Sequence, residues 1–594
     1  MKTFQHIWVA GLIVALSTTA YSEEANRKAL FGELHMHTAW SFDAYLFNTR
    51  ATPDDAYNFA KGKPLKHALG KTYQLTRPLD FMAVTDHGMF LGAFAKMADP
   101  THPLSKLPIA NKVNSPDPDI MSSAFRDIVG GAATPALIRG LTDPAIMKET
   151  WDHIIDSANR HNDPGTFTAL IGYEWTSTPN SQNLHRNVIF RGDTAPIPFT
   201  RIQSDRPEDL WAWMDKVREE GNEVLAIPHN SNLSDGRMFE REDSWDIPFT
   251  KEYAEARNRN ERLVEVTQVK GTSETHPTLS PNDEFADFEL LELYVAMPIP
   301  ITKFKGSYVR DAYRTGLEFQ EENGFNPYRF GLIAASDSHT GIVPVDENQF
   351  SGKISSRDGS PENRLVSDAG KQRYSFFGAS GLAGVWADEN TREDIFDALD
   401  RKETWGTSGP RIQVRFFGGF DMADVKPGDD GWVNAAYAGG VPMGGELKAT
   451  QAGDAPTFAL WAIKDAEGAN LDRFQVVKGW IENGESHEQV YDAVWSGDRV
   501  KDSKTGKVPA IKNTVNLDTL EYSNSVGSVE LMGTWSDPNF KADQNAFYYV
   551  RVLEIPTPRW SMFDAKELGI PIPTDHATTI QERAYSSPIW YDHH

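Results

Sequence analysis

Short apolar runs alternate with stretches of helical periodicity over the first two thirds of the chain. Phe81-Met82-Ala83-Val84-Thr85, Ala169-Leu170-Ile171-Gly172-Tyr173, Val224-Leu225-Ala226-Ile227, Leu263-Val264-Glu265-Val266 and Phe330-Gly331-Leu332-Ile333-Ala334-Ala335 have the length and composition of buried strands. Helical patterns fall between several of them. One spans Pro144 to His161 and stops at Asp163-Pro164-Gly165; another starts at Asn390, with Glu393 three residues on as a capping box, and runs to about Lys402. This alternation predicts a parallel α/β fold up to about residue 410. Residues 88–143 and 341–380 break the pattern and read as loops laid over the framework. Beyond Gly409-Pro410 the period changes to two, as in Arg411-Ile412-Gln413-Val414-Arg415-Phe416, Phe474-Gln475-Val476-Val477-Lys478 and Ala546-Phe547-Tyr548-Tyr549-Val550-Arg551-Val552-Leu553. Residues 411–594 are therefore expected to form a mostly β module, a sandwich packed on the first part.

At the N-terminus, Lys2 precedes the apolar run Ile7 to Leu16 and the small-residue pattern Ala20-Tyr21-Ser22 before Glu23. The run is about half the ~20 residues that span a bilayer. Residues 1–22 thus read as a signal peptide and not an anchor, so the mature chain is expected in the periplasm or outside the cell, with no stable membrane insertion. A formal charge of −25 argues against coating nucleic acid or anionic membrane, both of which need clustered Lys and Arg. With 0 cysteines there is no disulfide, thiolate ligand or thiol nucleophile, and any metal must be held by imidazole and carboxylate.

Histidines and acids sit just past the strand ends. Phe31-Gly32-Glu33-Leu34 leads into His35-Met36-His37-Thr38, with Asp43 close behind; Val84-Thr85 leads into Asp86-His87, Tyr173 into Glu174, Ile227-Pro228 into His229, and Ser336 into Asp337-Ser338-His339. His185 opens a strand of its own, His185 to Phe190. Strand C-termini of a parallel barrel converge on one face, which brings such residues together. Imidazole and carboxylate are the donors that bind Zn, Mn or Fe where thiolates are absent, and Glu174 is suited to bridge two ions. A single buried His is usually structural, but six of the 16 placed at strand ends point to a metal site.

These motifs resemble those of the PHP (polymerase and histidinol phosphatase) superfamily. Gly172-Tyr173-Glu174-Trp175-Thr176-Ser177, His185 to Phe190, Pro228-His229-Asn230-Ser231-Asn232-Leu233-Ser234 and Ile580 to Tyr591 resemble its DUF3604 branch over nearly the whole mature chain. The resemblance implies a distorted (β/α)7 barrel with insertions over residues 23–410, and a site of two or three divalent ions (Zn, Mn or Fe). It further implies that His35, His37, bridging Glu174 and Asp337 hold one ion; Glu174, His185 and His229 a second; and Asp43, His87 and His339 a third. Asp43 stands where some PHP enzymes have His. Asp86 reads as a residue that orients an imidazole.

Arg186 and Lys270 are candidate clamps for an anionic substrate group, and His276 is a candidate general acid, with surface or structural roles as the alternatives. The expected activity is hydrolysis of a small-molecule ester by metal-activated water, a phosphoester first, then a sulfate, carboxylate or carbamate ester. The alternative of a different class is a non-catalytic, metal-bearing protein that binds a glycan or envelope component through its β module.

Overall fold

The computed structural model describes residues 27–129, 134–294, 299–366, 376–422, 424–450, 453–572, 574 and 576–593; the expected export segment 1–22 lies outside them. No helix among the described residues is long and apolar enough to cross a membrane.

The fold is mixed α/β around one large sheet, with a strand-rich C-terminal region. In chain order the first part comprises β1 (Lys28–Met36), α1 (Phe42–Leu46), β2 (Phe81–Val84), α2 (Pro118–Val129), α3 (Pro144–His161), β3 (Thr168–Trp175), β4 (Arg186–Phe190), α4 (Pro207–Glu219), β5 (Val224–Pro228), β6 (Leu263–Glu265), α5 (Val309–Asn323), β7 (Gly331–Ile333), β8 (Leu382–Ala387), α6 (Arg392–Asp400) and β9 (Thr404–Thr407). Pairing is parallel for β1–β2, β2–β3 and β6–β7, but antiparallel for β3–β4, β4–β5, β1–β8 and β8–β9. The expected all-parallel order is corrected here. Only residues 176–185 join β3 to β4, fewer than the dozen or so that a parallel crossover requires, so β4 folds straight back.

At the centre, β1 is buried from Leu30 onward and must accept a neighbouring ring: a Cβ on Gly32 would stand 2.3 Å from the Phe81 side chain. Helix α3 keeps the bounds its pattern predicts, capped by the Asp143 side chain and burying Trp151 and Ile154. The cap of α6 differs from expectation. Thr391 accepts from the Asp394 backbone N–H, while Asn390 donates to Asp80 and Thr166 carbonyls and fastens the loop before β3. The described residues of 88–143 likewise form more than a loop: α2 and several shorter helices bury Phe90, Phe94, Met97 and Leu141 in a core of their own.

The C-terminal region adds β10 (Gln413–Gly419), β11 (Thr457–Ile463), β12 (Leu471–Glu482), β13 (Glu485–Trp495), β14 (Glu530–Ser536), β15 (Ala546–Glu554), β16 (Arg583–Ser586) and β17 (Ile589–Asp592). Strands β10, β11 and β14 form a second antiparallel sheet. Its Phe416, Phe458 and Leu460 pack with Val476, Tyr548 and Val550 of the large sheet, and with Phe31 and Trp405 of the first part. The large sheet does not stop at residue 411, because β16 pairs with β9 and β15 pairs with β16.

Candidate metal centre

The end of β1 is held by backbone bonds to the segment after β7: Asp337 N–H donates to His35 O and His37 N–H to Ser338 O, both at 2.9 Å. The turn after β2 meets the end of β3 through Glu174 N–H to Asp86 O at 3.0 Å and Gly88 N–H to Glu174 O at 2.9 Å. Because β4 runs antiparallel to β3, its first residues lie beside the last of β3, which puts His185 next to Glu174. His229 follows β5 directly. Asp337 sits at φ 55°, in the left-handed region that Asp tolerates better than most residues.

All nine expected ligands converge. Glu174 Oε2 lies 3.2 Å from His37 Nε2 and 3.5 Å from His35 Nε2, and Asp337 Oδ1 lies 3.5 Å from each of those nitrogens. Glu174 Oε1 is 2.6 Å from His185 Nδ1, 3.3 Å from His87 Nδ1 and 3.7 Å from His229 Nε2. Asp43, in the first turn of α1, places Oδ2 2.8 Å from His339 Nε2 and 3.2 Å from His87 Nε2, and His37 is within reach of the same group.

Donors about 2.1 Å from a common ion in a tetrahedral array stand roughly 3.4 Å apart, so most of these separations suit shared cations better than direct hydrogen bonds. The donor chemistry fits as well. His35 Nε2, His37 Nε2 and both ring nitrogens of His229 are buried and make no hydrogen bond among the described residues, at a cost of about 1–3 kcal/mol each unless a ligand takes them up.

Five of the imidazoles have their other nitrogen anchored: His35 Nδ1 by Glu265 at 2.9 Å, His37 Nδ1 by Ser41 at 2.7 Å, His87 Nδ1 by Thr176 at 2.6 Å, His185 Nε2 by Thr178 at 2.7 Å, and His339 Nδ1 by Lys353 Nζ at 2.8 Å. Such contacts set ring orientation and tautomer. The Asp86 oxygens accept from the Thr38 backbone N–H and hydroxyl at 2.6 Å each and so hold the turn after His37. Burial keeps His185, His229 and His339 neutral, with pKa values lowered to about 3, 4 and 3. Burial also opposes charge on His35 and His87, yet Asp337 and Glu265 raise the first to about 10, and Glu174 and Asp43 the second to about 10.

A cleft of about 310 Å³ opens over this centre, and every described residue lining it precedes residue 411. A larger cavity of about 410 Å³, where Asp346 and Glu347 meet Glu554 and Glu582, holds none of the nine residues. Of the three expected catalytic side chains, only Lys270 lines the cleft, with Nζ 2.6 Å from Asp337 Oδ2. Arg186 is corrected: it does not line the cleft but is buried against Trp175, its guanidinium bonded to Glu261 at 2.9 Å and to the Leu184 carbonyl. His276 is corrected too, since it stacks on Phe304 and bonds Glu292 at 2.7 Å, outside the cleft.

Two residues escaped the sequence reading. Lys353 Nζ reaches Asp337 Oδ1 at 2.7 Å and His339 Nδ1 at 2.8 Å, and Gln268 donates to Asp337 Oδ2 at 2.6 Å. Lys353 lies in a Gly/Ser-rich stretch with no local pattern, and Gln268 in a strand of two residues; neither position carries a signal.

Fold and site together define a mixed α/β protein with a buried histidine–carboxylate cluster that is a candidate centre for divalent metal ions. The chain belongs to the DUF3604 family, described as proteins of unknown function, whose model matches residues 24–593. No curated protein matches it. Among solved structures it is similar to a two-domain protein from Bacteroides vulgatus ATCC 8482 containing a predicted PHP-like metal-dependent phosphoesterase. Identity is 12% over 78% of this chain and 85% of that one, and the TM-score of 0.29 is too low for the likeness to bear on the fold.

Proposed function

We propose that this protein is a metal-dependent hydrolase of anionic esters, phosphate esters foremost, working with two or three ions of the Zn, Mn or Fe type. The observation that carries this reading is the convergence of nine His, Asp and Glu side chains at a cleft, with buried imidazole nitrogens among them that make no hydrogen bond to a described residue. His35, His37, Glu174 and Asp337 would hold one ion, Glu174, His185 and His229 a second, and Asp43, His87 and His339 a third. Bound there, the ions supply an acidified water and positive charge against the negative charge that develops on the ester.

The chain's own residues position and bind. Glu265, Ser41, Thr176 and Thr178 fix the imidazoles, and Glu174 spans two ligand groups. Lys270, 14% exposed at the cleft, takes the anion-holding role expected of Arg186, while Lys353, also at the cleft, bonds Asp337 and His339. No Cys is present and no Ser lies in a Gly-x-Ser-x-Gly elbow, which leaves water as the simplest attacker.

The same reading treats β1 to β7 as a distorted seven-stranded ring of the PHP type. Its support is the run of pairings from β1 to β5, the β6–β7 pair, and the Met36–Ser338 bridge that returns to β1. It also assigns catalysis to residues 23–410, with 411–594 as a β-rich module, and export to residues 1–22, to be checked by an intact mass starting near Glu23.

Turnover of nitrophenyl phosphate, sulfate and acetate by purified protein with added Mn²⁺ or Zn²⁺ tests the proposal. The phosphate should be the best substrate. A protein that only binds a glycan or envelope component would hydrolyse none of the three.

A further inference from the structure

The cleft is charged where it meets the metal centre and apolar above it. Phe47, Phe125, Phe376 and Phe377 line its walls together with Leu293 and Ile354. The rings form a connected surface: Phe47 and Phe125 are 5.0 Å apart, Phe376 and Phe377 4.6 Å, and Phe125 stacks at 7° on Phe42, the neighbour of Asp43. Phe125 and Phe376 are only partly buried, so the wall keeps apolar surface turned to the opening. Aromatic rings that line a cleft beside a reactive centre suit a flat apolar ligand.

The charges of the same cleft select among apolar groups. Arg126, Lys270, Lys353 and Arg357 are its cations, and its carboxylates are Asp43, Glu174 and Asp337, all among the expected metal ligands. The Arg357 guanidinium lies 4.2 Å over the Phe47 ring and gives the aromatic wall a positive edge. A quaternary ammonium group, which aromatic cages otherwise favour, would meet cations here, and among the described lining residues the only carboxylates are the expected metal ligands. A volume of about 310 Å³ suits a leaving group of one or two rings beside a tetrahedral anion.

We propose that the substrate is a phosphate or sulfate ester of an uncharged aromatic alcohol, its ring seated among Phe47, Phe125, Phe376 and Phe377 and its anionic group held at Lys270. This rests on the hydrolase reading above. Hydrolysis joins the water oxygen to phosphorus or sulfur and breaks the bond from that atom to the aryl oxygen. The bonding pair stays on the aryl oxide, which takes the proton the water gives up. An aryl oxide resembles the tyrosine side chain, with a conjugate acid near pKa ~10, and leaves more readily than an alkoxide.

The test uses Mn²⁺-loaded full-length mature protein and compares kcat/KM for 1-naphthyl, phenyl and ethyl phosphate, phosphocholine, and the naphthyl and ethyl sulfates. Naphthyl and phenyl esters should exceed ethyl and choline esters at least tenfold. Phe125→Ala should lower the naphthyl-to-ethyl ratio by about tenfold, mainly through KM, which corresponds to about 1.4 kcal/mol. Phe47→Leu provides a second variant, and competitive inhibition of the parent protein by 2-naphthol reads the same pocket without any substitution. Ethyl or choline esters turned over as well as naphthyl ones, or no inhibition by 2-naphthol, would overturn the aromatic assignment alone. Failure to hydrolyse any ester would overturn the hydrolase reading and this inference with it.

Discussion

Glu174 bears on more of the centre than any other side chain, because Oε2 faces His35 and His37 while Oε1 faces His185 and His229. Replacing it by Gln should deplete two ions together, whereas His339→Ala should deplete chiefly the ion near Asp43; elemental analysis of the two variants reads the difference. Glu265→Gln, which weakens the anchor of His35, should lower metal affinity by about 10- to 100-fold. Protonation adds a second expectation. Burial disfavours the charged imidazoles, but Asp337 with Glu265, and Glu174 with Asp43, lift His35 and His87 to about 10, so both carry protons near neutral pH until an ion displaces them. Ion uptake at pH 7 should therefore release protons, and apparent affinity should rise with pH up to about 10. Titration calorimetry in buffers of different ionisation enthalpy measures this, and uptake without proton release contradicts it. At this scale the sequence was most legible: His-x-His, Asp-His, Asp-x-His and the lone Glu174 each end a strand, and all nine meet. Arg186 was misjudged because adjacency to His185 says nothing of direction, and successive residues of a strand point to opposite faces. Lys353 was invisible because only tertiary folding brings its loop under Asp337 and His339.

Among the elements, β1 does the most positioning, since it carries His35, leads directly into His37, and pairs with β2 and β8. Its Gly32 leaves room for Phe81, whose ring would be 2.3 Å from an added Cβ. Gly32→Val should cost about 1–3 kcal/mol or more from overpacking, and thermal melts should show it alongside reduced metal content. An unshifted melt would mean that the Phe81 ring finds another site. The strands and α3 were readable from apolar runs and caps. Direction was not, because β3 and β4 look alike in sequence whichever way they pair, and the short connection over residues 176–185 decides it. The helices within residues 88–143 were missed because most are a turn or two long and bury their apolar residues in a separate cluster.

In the whole molecule, the C-terminal strands are tied to the first part by buried charge. Arg551 on β15 meets Glu274 at 3.1 Å and Asp283 at 2.7 Å, and Arg310 on α5 meets the same two carboxylates at 2.6 and 2.9 Å. Arg551→Met would leave two buried carboxylates on one arginine and should cost about 3–5 kcal/mol by denaturant unfolding. Burial works against ionisation of Glu274 and Asp283, but Arg551 and Arg310 hold both below the usual carboxylate range. A depressed carboxylate stabilises the fold fully above its unfolded pKa, so this contribution is complete above about pH 4.5 and is lost as pH falls below it; the variant should show a shallower acid transition. The central claim is that the histidine–carboxylate centre hydrolyses esters through bound divalent ions. Its most direct test is to strip the protein with chelator, return Mn²⁺ or Zn²⁺ stepwise, and follow nitrophenyl phosphate turnover against ions bound, in the parent and in Glu174→Gln. Activity that vanishes on stripping, returns in proportion to bound ion and stays absent in Glu174→Gln is the predicted result; a stripped protein or a Glu174→Gln variant that turns over as fast as the parent would contradict it.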